Sequence, residues 1–135
     1  MKMYKLICLS SLLAFGVAHA ASVPCNGFEI KIKNNSSDDL IINKIALQGA
    51  EIQPGTIQKL NAHVEQVFTV NKSQDDKTMN GSFEFHSLTV PTKKVSIKYD
   101  LKNKNLACHH YDLERAGDYS IDKTRLPGHV TYTID

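Results

Sequence analysis

The sequence predicts an all-β fold, a single-domain and mostly antiparallel β-sandwich with one disulfide. Three observations carry that expectation. Apolar and polar residues alternate at period two along much of the chain, the pattern of strands with one face on a core and one in water. Clusters of Asn, Asp, Ser, Pro and Gly interrupt these runs at short intervals, and no long helical repeat lies between them. Of the three cysteines, Cys8 falls in an export leader, which leaves Cys25 and Cys108 as a pair.

The leader comes first. "MKMYK" places Lys2 and Lys5 ahead of the apolar run "LICLSSLLAFGV", and "AHA" (Ala18 to Ala20) supplies small residues where a signal peptidase reads. The run is too short for a stable transmembrane helix. Residues 1–20 are therefore expected to be removed, giving a domain over residues 21–135 that is exported to the periplasm or secreted. No other stretch is long and apolar enough to span a bilayer. Two cysteines in an exported domain of this size read as one disulfide. In the chain-entropy view, a loop as long as the one between Cys25 and Cys108 contributes up to about 4–5 kcal/mol.

The strands follow in order. In "FEIKIKN", Phe28, Ile30 and Ile32 face one way and Glu29, Lys31 and Lys33 the other. "DLIINKIALQ" does not keep its apolar residues to one face, which predicts a β-bulge near Asn43 or two buried faces, with a helix as the competing reading. "VEQVFTVN" and "GSFEFHSL" are shorter and rich in β-formers. "VSIKYDLK" sets Val95, Ile97, Tyr99 and Leu101 against Ser96, Lys98, Asp100 and Lys102, and "HVTYTID" repeats the pattern with Val130, Tyr132 and Ile134. Turns are expected at "NNSSDD" (Asn34 to Asp39), "QPGT", "NKSQDDKTMNG" (Asn71 to Gly81), "KNKN" (Lys102 to Asn105) and "RLPG".

Charge narrows the function classes. The full chain carries 16 Lys and Arg against 14 Asp and Glu, and loss of Lys2 and Lys5 brings the two signs level. Both are spread evenly, so the concentrated basic surface that displaces counterions from phosphates is missing. Nucleic acid as a partner and simple electrostatic attachment to an anionic membrane are both disfavoured, and no nucleic-acid partner is expected.

"LACHHYDLE" (Leu106 to Glu114) is the densest group of reactive side chains. Read as a strand after the "KNKN" turn, it places Leu106, Cys108, His110 and Asp112 on one face and Ala107, His109, Tyr111 and Leu113 on the other. Adjacent His109 and His110 then cannot converge on one metal. A metal would need His110 with Asp112, or His109 alone, plus ligands from elsewhere, and zinc-type spacings such as Cys-x-x-Cys are absent. His63, His86 and His129 show no ligand spacing either. There is no nucleophile elbow, phosphate-binding glycine loop or His-Glu-x-x-His helix. Asp75, Asp76 and Asn80 near Gly81 lack the EF-hand order. No cofactor and no catalytic residue is expected.

"NGSFEF", "VSIKYDLKNKNLACHHYDL", "GDYSI" and "GHVTYTID" together resemble the late-strand order of the aegerolysins, over residues 80–135. Tyr99-Asp100 stands where that family often carries Trp-Asp. The resemblance implies a small secreted β-sandwich that binds membrane lipids. The chain has no tryptophan, whereas members of that family use several aromatic residues at the membrane-facing end.

The expectation for function is an exported, non-catalytic recognition module for a protein or glycan surface. A lipid surface is the alternative, and an envelope hydrolase or metal-binding protein a further one. Strand interiors are committed to packing, so binding belongs to loops. The candidate loops are "NNSSDD", with Asn34, Asn35, Asp38 and Asp39, and "NKSQDDKTMNG", with Asp75, Asp76 and Asn80.

Overall fold

A computed structural model of the chain describes residues 23–135; the expected leader lies outside the described residues. Ten strands follow in chain order: β1 Glu29–Asn34, β2 Leu40–Gln48, β3 Glu51–Gln53, β4 Lys59–Leu60, β5 Glu65–Asn71, β6 Thr78–Ser87, β7 Lys94–Lys104, β8 Ala107–Gly117, β9 Ile121–Leu126 and β10 His129–Ile134. They form two sheets of five, ordered β3-β5-β1-β10-β9 and β4-β2-β6-β7-β8. The fold is all-β and mostly antiparallel, with β1 and β10 paired in parallel at the middle of the first sheet.

Period-two alternation builds the core as the sequence demands. Phe28, Ile30 and Ile32 of the first sheet are buried, as are Val130, Tyr132 and Ile134 beside them. Val95, Ile97, Tyr99 and Leu101 of β7 face them from the second sheet and are equally closed to solvent. Phe68 and Phe83 join the two layers with ring centroids 4.9 Å apart at 48°. Each large apolar side chain buried this way contributes about 1.5–3 kcal/mol relative to exposure.

The ambiguous "DLIINKIALQ" is strand β2, and its register against β6 breaks between Ile42 and Lys44. Asn43 is the extra residue of that bulge, and its Oδ1 lies 2.6 Å from His86 Nδ1. A second break, in the pairing of β7 with β8, leaves Leu113 unpaired between Asp112 and Glu114.

Two turn expectations need correction. β7 runs on through the "KNKN" segment to Lys104, which pairs with Ala107, so Leu106 is a turn residue and not part of a strand. Asn105 and Leu106 both have left-handed φ, 54° and 63°, the conformation that matches a two-residue hairpin to the twist of its strands. Cross-strand pairing of Lys102 and Asn103 with His109 and Cys108 outweighs the loop-like composition. "NKSQDDKTMNG" is likewise shorter as a loop than its polarity suggests. β6 starts at Thr78 because Met79 fills the core, fully buried, and Asn80 is a strand residue paired with Asp100 and Gln48. The short strands β3 and β4 and the edge strand β9 have no clear periodic signature in the sequence.

Gly81 marks one close contact. It pairs with Tyr99, whose ring lies where a Cβ on residue 81 would stand. Gly81→Ala must displace a fully buried ring, and overpacking of this kind costs about 1–3 kcal/mol. Urea denaturation is expected to show that loss with the slope unchanged; an unaltered midpoint would mean that Tyr99 has room to move.

Candidate functional site

Cys25 and Cys108 are bonded, with S–S 2.08 Å and Cα atoms 4.6 Å apart. The bond ties the chain entering β1 to the edge strand of the other sheet. Beside it, Asn103 is almost fully buried. Its Oδ1 accepts the Cys25 N–H at 2.6 Å, and its Nδ2 donates to Gln74 O at 2.9 Å and Ser73 Oγ at 3.2 Å. Asn26 Oδ1 accepts both the N–H and the hydroxyl of Ser73 at 2.8 Å. Three side chains thus hold residues 73–75 against the hairpin, and Asp75 forms an isolated bridge with Asn103.

A cleft of about 490 Å³ opens between this loop and the β7–β8 turn. Asp75 and Asp76 line it together with Lys102, Lys104 and Leu106. None of the four charged residues takes part in an ion pair among the described residues. Leu106 is 96 % exposed.

The other candidate loop is framework. Asn34 is fully buried; its Nδ2 donates to Asp38 O at 2.7 Å and Leu60 O at 3.0 Å, and its Oδ1 accepts from Ser36. Asn35 donates to Asp135, and Asp39 Oδ1 accepts the Ala62 N–H at 2.8 Å. Asp38 Oδ2 accepts the Tyr119 hydroxyl at 2.7 Å and pairs with Lys93 at 3.3 Å. The Tyr119 hydrogen bond, helped by Lys93, holds the Asp38 carboxyl below its usual range. Burial and Asp38 push the Tyr119 phenol up to about 12. These side chains bind one another and hold the loops together at that end.

His110 and Asp112 meet in the seam where edge strands β8 and β9 face each other, a cluster that sequence spacing alone did not reveal. Tyr132 Oη is 2.8 Å from His110 Nε2 and donates to Asp112 Oδ1 at 3.5 Å. Asp112 Oδ2 pairs with Arg115 Nε at 2.8 Å. Arg115 Nη1 donates across to Ile121 O of β9 at 3.0 Å, and Arg125 of β9 returns the contact through Nη2 to Cys108 O at 3.0 Å. Arg125 also lies over the Phe28 ring, 4.9 Å from its centroid. His109 points the other way and stacks on Tyr111, as adjacent strand residues require. Among the described residues no three His, Cys, Asp or Glu side chains gather as a metal site would need.

The chemistry of the seam is that of a structural closure. The His110 ring stacks on Phe28 and Tyr99, and its Nδ1 is buried without a partner. Burial first, then Lys123 and Arg125, lower its pKa to about 4, against the pull of Asp112. Burial and the Asp112 charge raise the Tyr132 phenol far above its usual range, so the hydroxyl stays protonated and serves as a hydrogen-bond group.

Two predictions follow from these sites. The folded His110 takes up a proton less readily than the unfolded one, whose pKa is about 6.5. Its contribution is present above pH 6.5 and is lost as pH falls toward about 4. The loss is about 1–2 kcal/mol for a ring partly reached by solvent. His110→Gln is expected to flatten that part of the pH–stability curve, measured by urea titration at each pH; an equal slope in both proteins would place the acid sensitivity elsewhere.

A left-handed non-glycine residue costs about 1–2 kcal/mol, while glycine adds about 0.5–1 kcal/mol of unfolded-state entropy to be lost. Leu106→Gly is therefore expected to stabilise the monomer by about 0.5–1 kcal/mol. A lower thermal midpoint at dilute concentration would contradict this.

A comparison with protein-family models finds no match, and neither does one with curated proteins.

Proposed function

We propose that the exported chain is a non-catalytic recognition module that seats a protein or glycan surface in the cleft at the disulfide end. The observation that carries this reading is a polar loop held by Asn103 and Asn26, with the Asp75 and Asp76 carboxylates left out of every ion pair among the described residues. Holding a loop in place removes the ordering cost that a flexible one meets on binding. Free acidic and basic groups on opposite sides of a cleft favour a partner with complementary polar groups. The disulfide is compatible with the oxidising compartments that export reaches.

A lipid surface fits less well. Leu106 is the exposed apolar residue at this cleft, and burying one leucine gains about 1.5–3 kcal/mol. A whole myristoyl chain gives only marginal membrane attachment, so one leucine beside two carboxylates does not hold a protein on a bilayer. No helix among the described residues is long and apolar enough to cross a membrane.

The test uses oxidised protein lacking residues 1–20 on a glycan array and in pull-downs from envelope extracts. Asp75→Asn with Asp76→Asn is expected to weaken the captured interaction at least about tenfold, the scale of a lost hot spot. Lys31→Gln, on the other sheet, is expected to leave it unchanged. Strong, salt-insensitive binding to neutral liposomes, with no glycan or protein captured, would reject the reading.

A further inference from the structure

Residues 23–27, ahead of β1, belong to no strand, yet they line the cleft through Pro24. Hydrogen bonds tie this segment to its surroundings. The Cys25 N–H donates to Asn103 Oδ1 at 2.6 Å and the Gly27 N–H to Val70 O at 2.7 Å. Asn26 Oδ1 accepts the N–H and the hydroxyl of Ser73 at 2.8 Å. The remaining tie is covalent, from Cys25 to Cys108. Asn103 and Ser73 are also the residues that place the acidic wall of the cleft. Asn103 is the cross-strand partner of Cys108 and holds Gln74 O, and Ser73 lies two residues ahead of Asp75.

The sandwich itself does not run through that bond. Cys25 stands outside the strands and Cys108 on the edge strand β8, so every pairing inside the two sheets is made without it. Phe68 and Phe83 join the layers in the core, and Arg115 and Arg125 bond across the seam. At the opposite end, Asn34 and Asp39 hold the loops. A segment outside the strands and held by a few hydrogen bonds opens locally, at a free energy below that of global unfolding. A buried free cysteine behaves as a small apolar side chain, so a reduced Cys25 adds no orphaned polar group to the core.

We propose that the Cys25–Cys108 bond is a redox gate on the cleft. Oxidised, it holds residues 23–27 and the loop of residues 73–76 in the shape that binds; reduced by a dithiol, it releases both while the sandwich stays folded. The gate presupposes that the cleft is the recognition site. Cys25 is closed to solvent and Cys108 only partly buried. The entering thiolate therefore attacks Cys108 Sγ, forms a mixed disulfide and expels the Cys25 thiolate. The second thiolate of the reductant then attacks the reductant's own sulfur in the mixed disulfide, which frees Cys108 and closes a disulfide within the reductant. Two electrons pass from the dithiol to the protein, and both cysteines end as thiols. Export sets the gate. Thiols stay reduced in the cytosol and pair in the oxidising compartments beyond it, so the cleft forms where the chain is delivered.

Amide hydrogen exchange, followed by NMR on the protein lacking residues 1–20, reads the gate without any ligand, and dithiothreitol supplies the dithiol. On reduction, the amides of Cys25, Gly27 and Ser73 are expected to exchange at least about tenfold faster. The amides of Ala62 and His63, bonded at the opposite end to Asp39 Oδ1 and Asn34 O, are expected to keep their rates, and the far-ultraviolet circular dichroism to stay unchanged. An equal rise at both ends, unfolding on reduction, or an unaltered rate at Ser73 would overturn the proposal. Cys25→Ser with Cys108→Ser gives the open state without a reductant, so that other proteins in an envelope extract stay oxidised. This double variant, folded by the same amide and dichroism criteria, is expected to lose at least about tenfold in binding to the glycan or protein that the oxidised parent captures. An oxidised parent that captures nothing rejects the recognition reading. Binding that is equal in parent and double variant rejects the gate alone.

Discussion

The bond between Cys25 and Cys108 fixes the end of the sandwich on which the candidate site depends. One cysteine precedes the first strand of one sheet and the other lies on the edge strand of the other sheet. Asn103 pairs with Cys108 across the hairpin and binds the Cys25 backbone, so a single polar side chain extends the covalent link to residues 73 and 74. The cleft beside that loop is shaped in part by the buried side chains of Asn103 and Ser73, whose polar atoms are hydrogen-bonded within the chain. Its charged lining takes part in no ion pair among the described residues.

The seam shows how the sandwich treats its exposed edges. An unpaired edge strand is a template for pairing with another chain, and inward-pointing charge is one way of blocking it. Here Arg115 of β8 and Arg125 of β9 each donate to a carbonyl of the facing strand. On the opposite side, the edge strands β3 and β4 are only three and two residues long. Long edges are bridged and the others kept short.

Much of this was legible in the sequence, and the reasons for the rest are physical. Alternation found β1, β7 and β10 because those strands bury one face, and it placed the bulge near Asn43 because the apolar phase of β2 changes there. The disulfide followed from counting cysteines. Polarity misplaced Asn80 and Leu106, because pairing across the β7–β8 hairpin and burial of Met79 override local turn composition. Composition marked both acidic segments as loops but could not separate Asp75 and Asp76, which line a cleft, from Asp38 and Asp39, which hydrogen-bond within the chain. The cluster of Tyr132 with His110 and Asp112 joins residues about twenty positions apart on different sheets, which no local pattern reports.

The parallel pairing of β1 with β10 bears on the order of assembly. β10 lies between β1 and β9, so the middle of the first sheet consists of the earliest and the latest strands described. A chain delivered from its N-terminus has β1 and β5 available early, but their sheet stays open on one side until residues 129–134 arrive. Contacts of such wide sequence separation form slowly. The second sheet, whose β6, β7 and β8 follow one another in sequence, has no such wait. The two layers therefore mature at different times, and the core between them closes only when the C-terminal strand has been delivered.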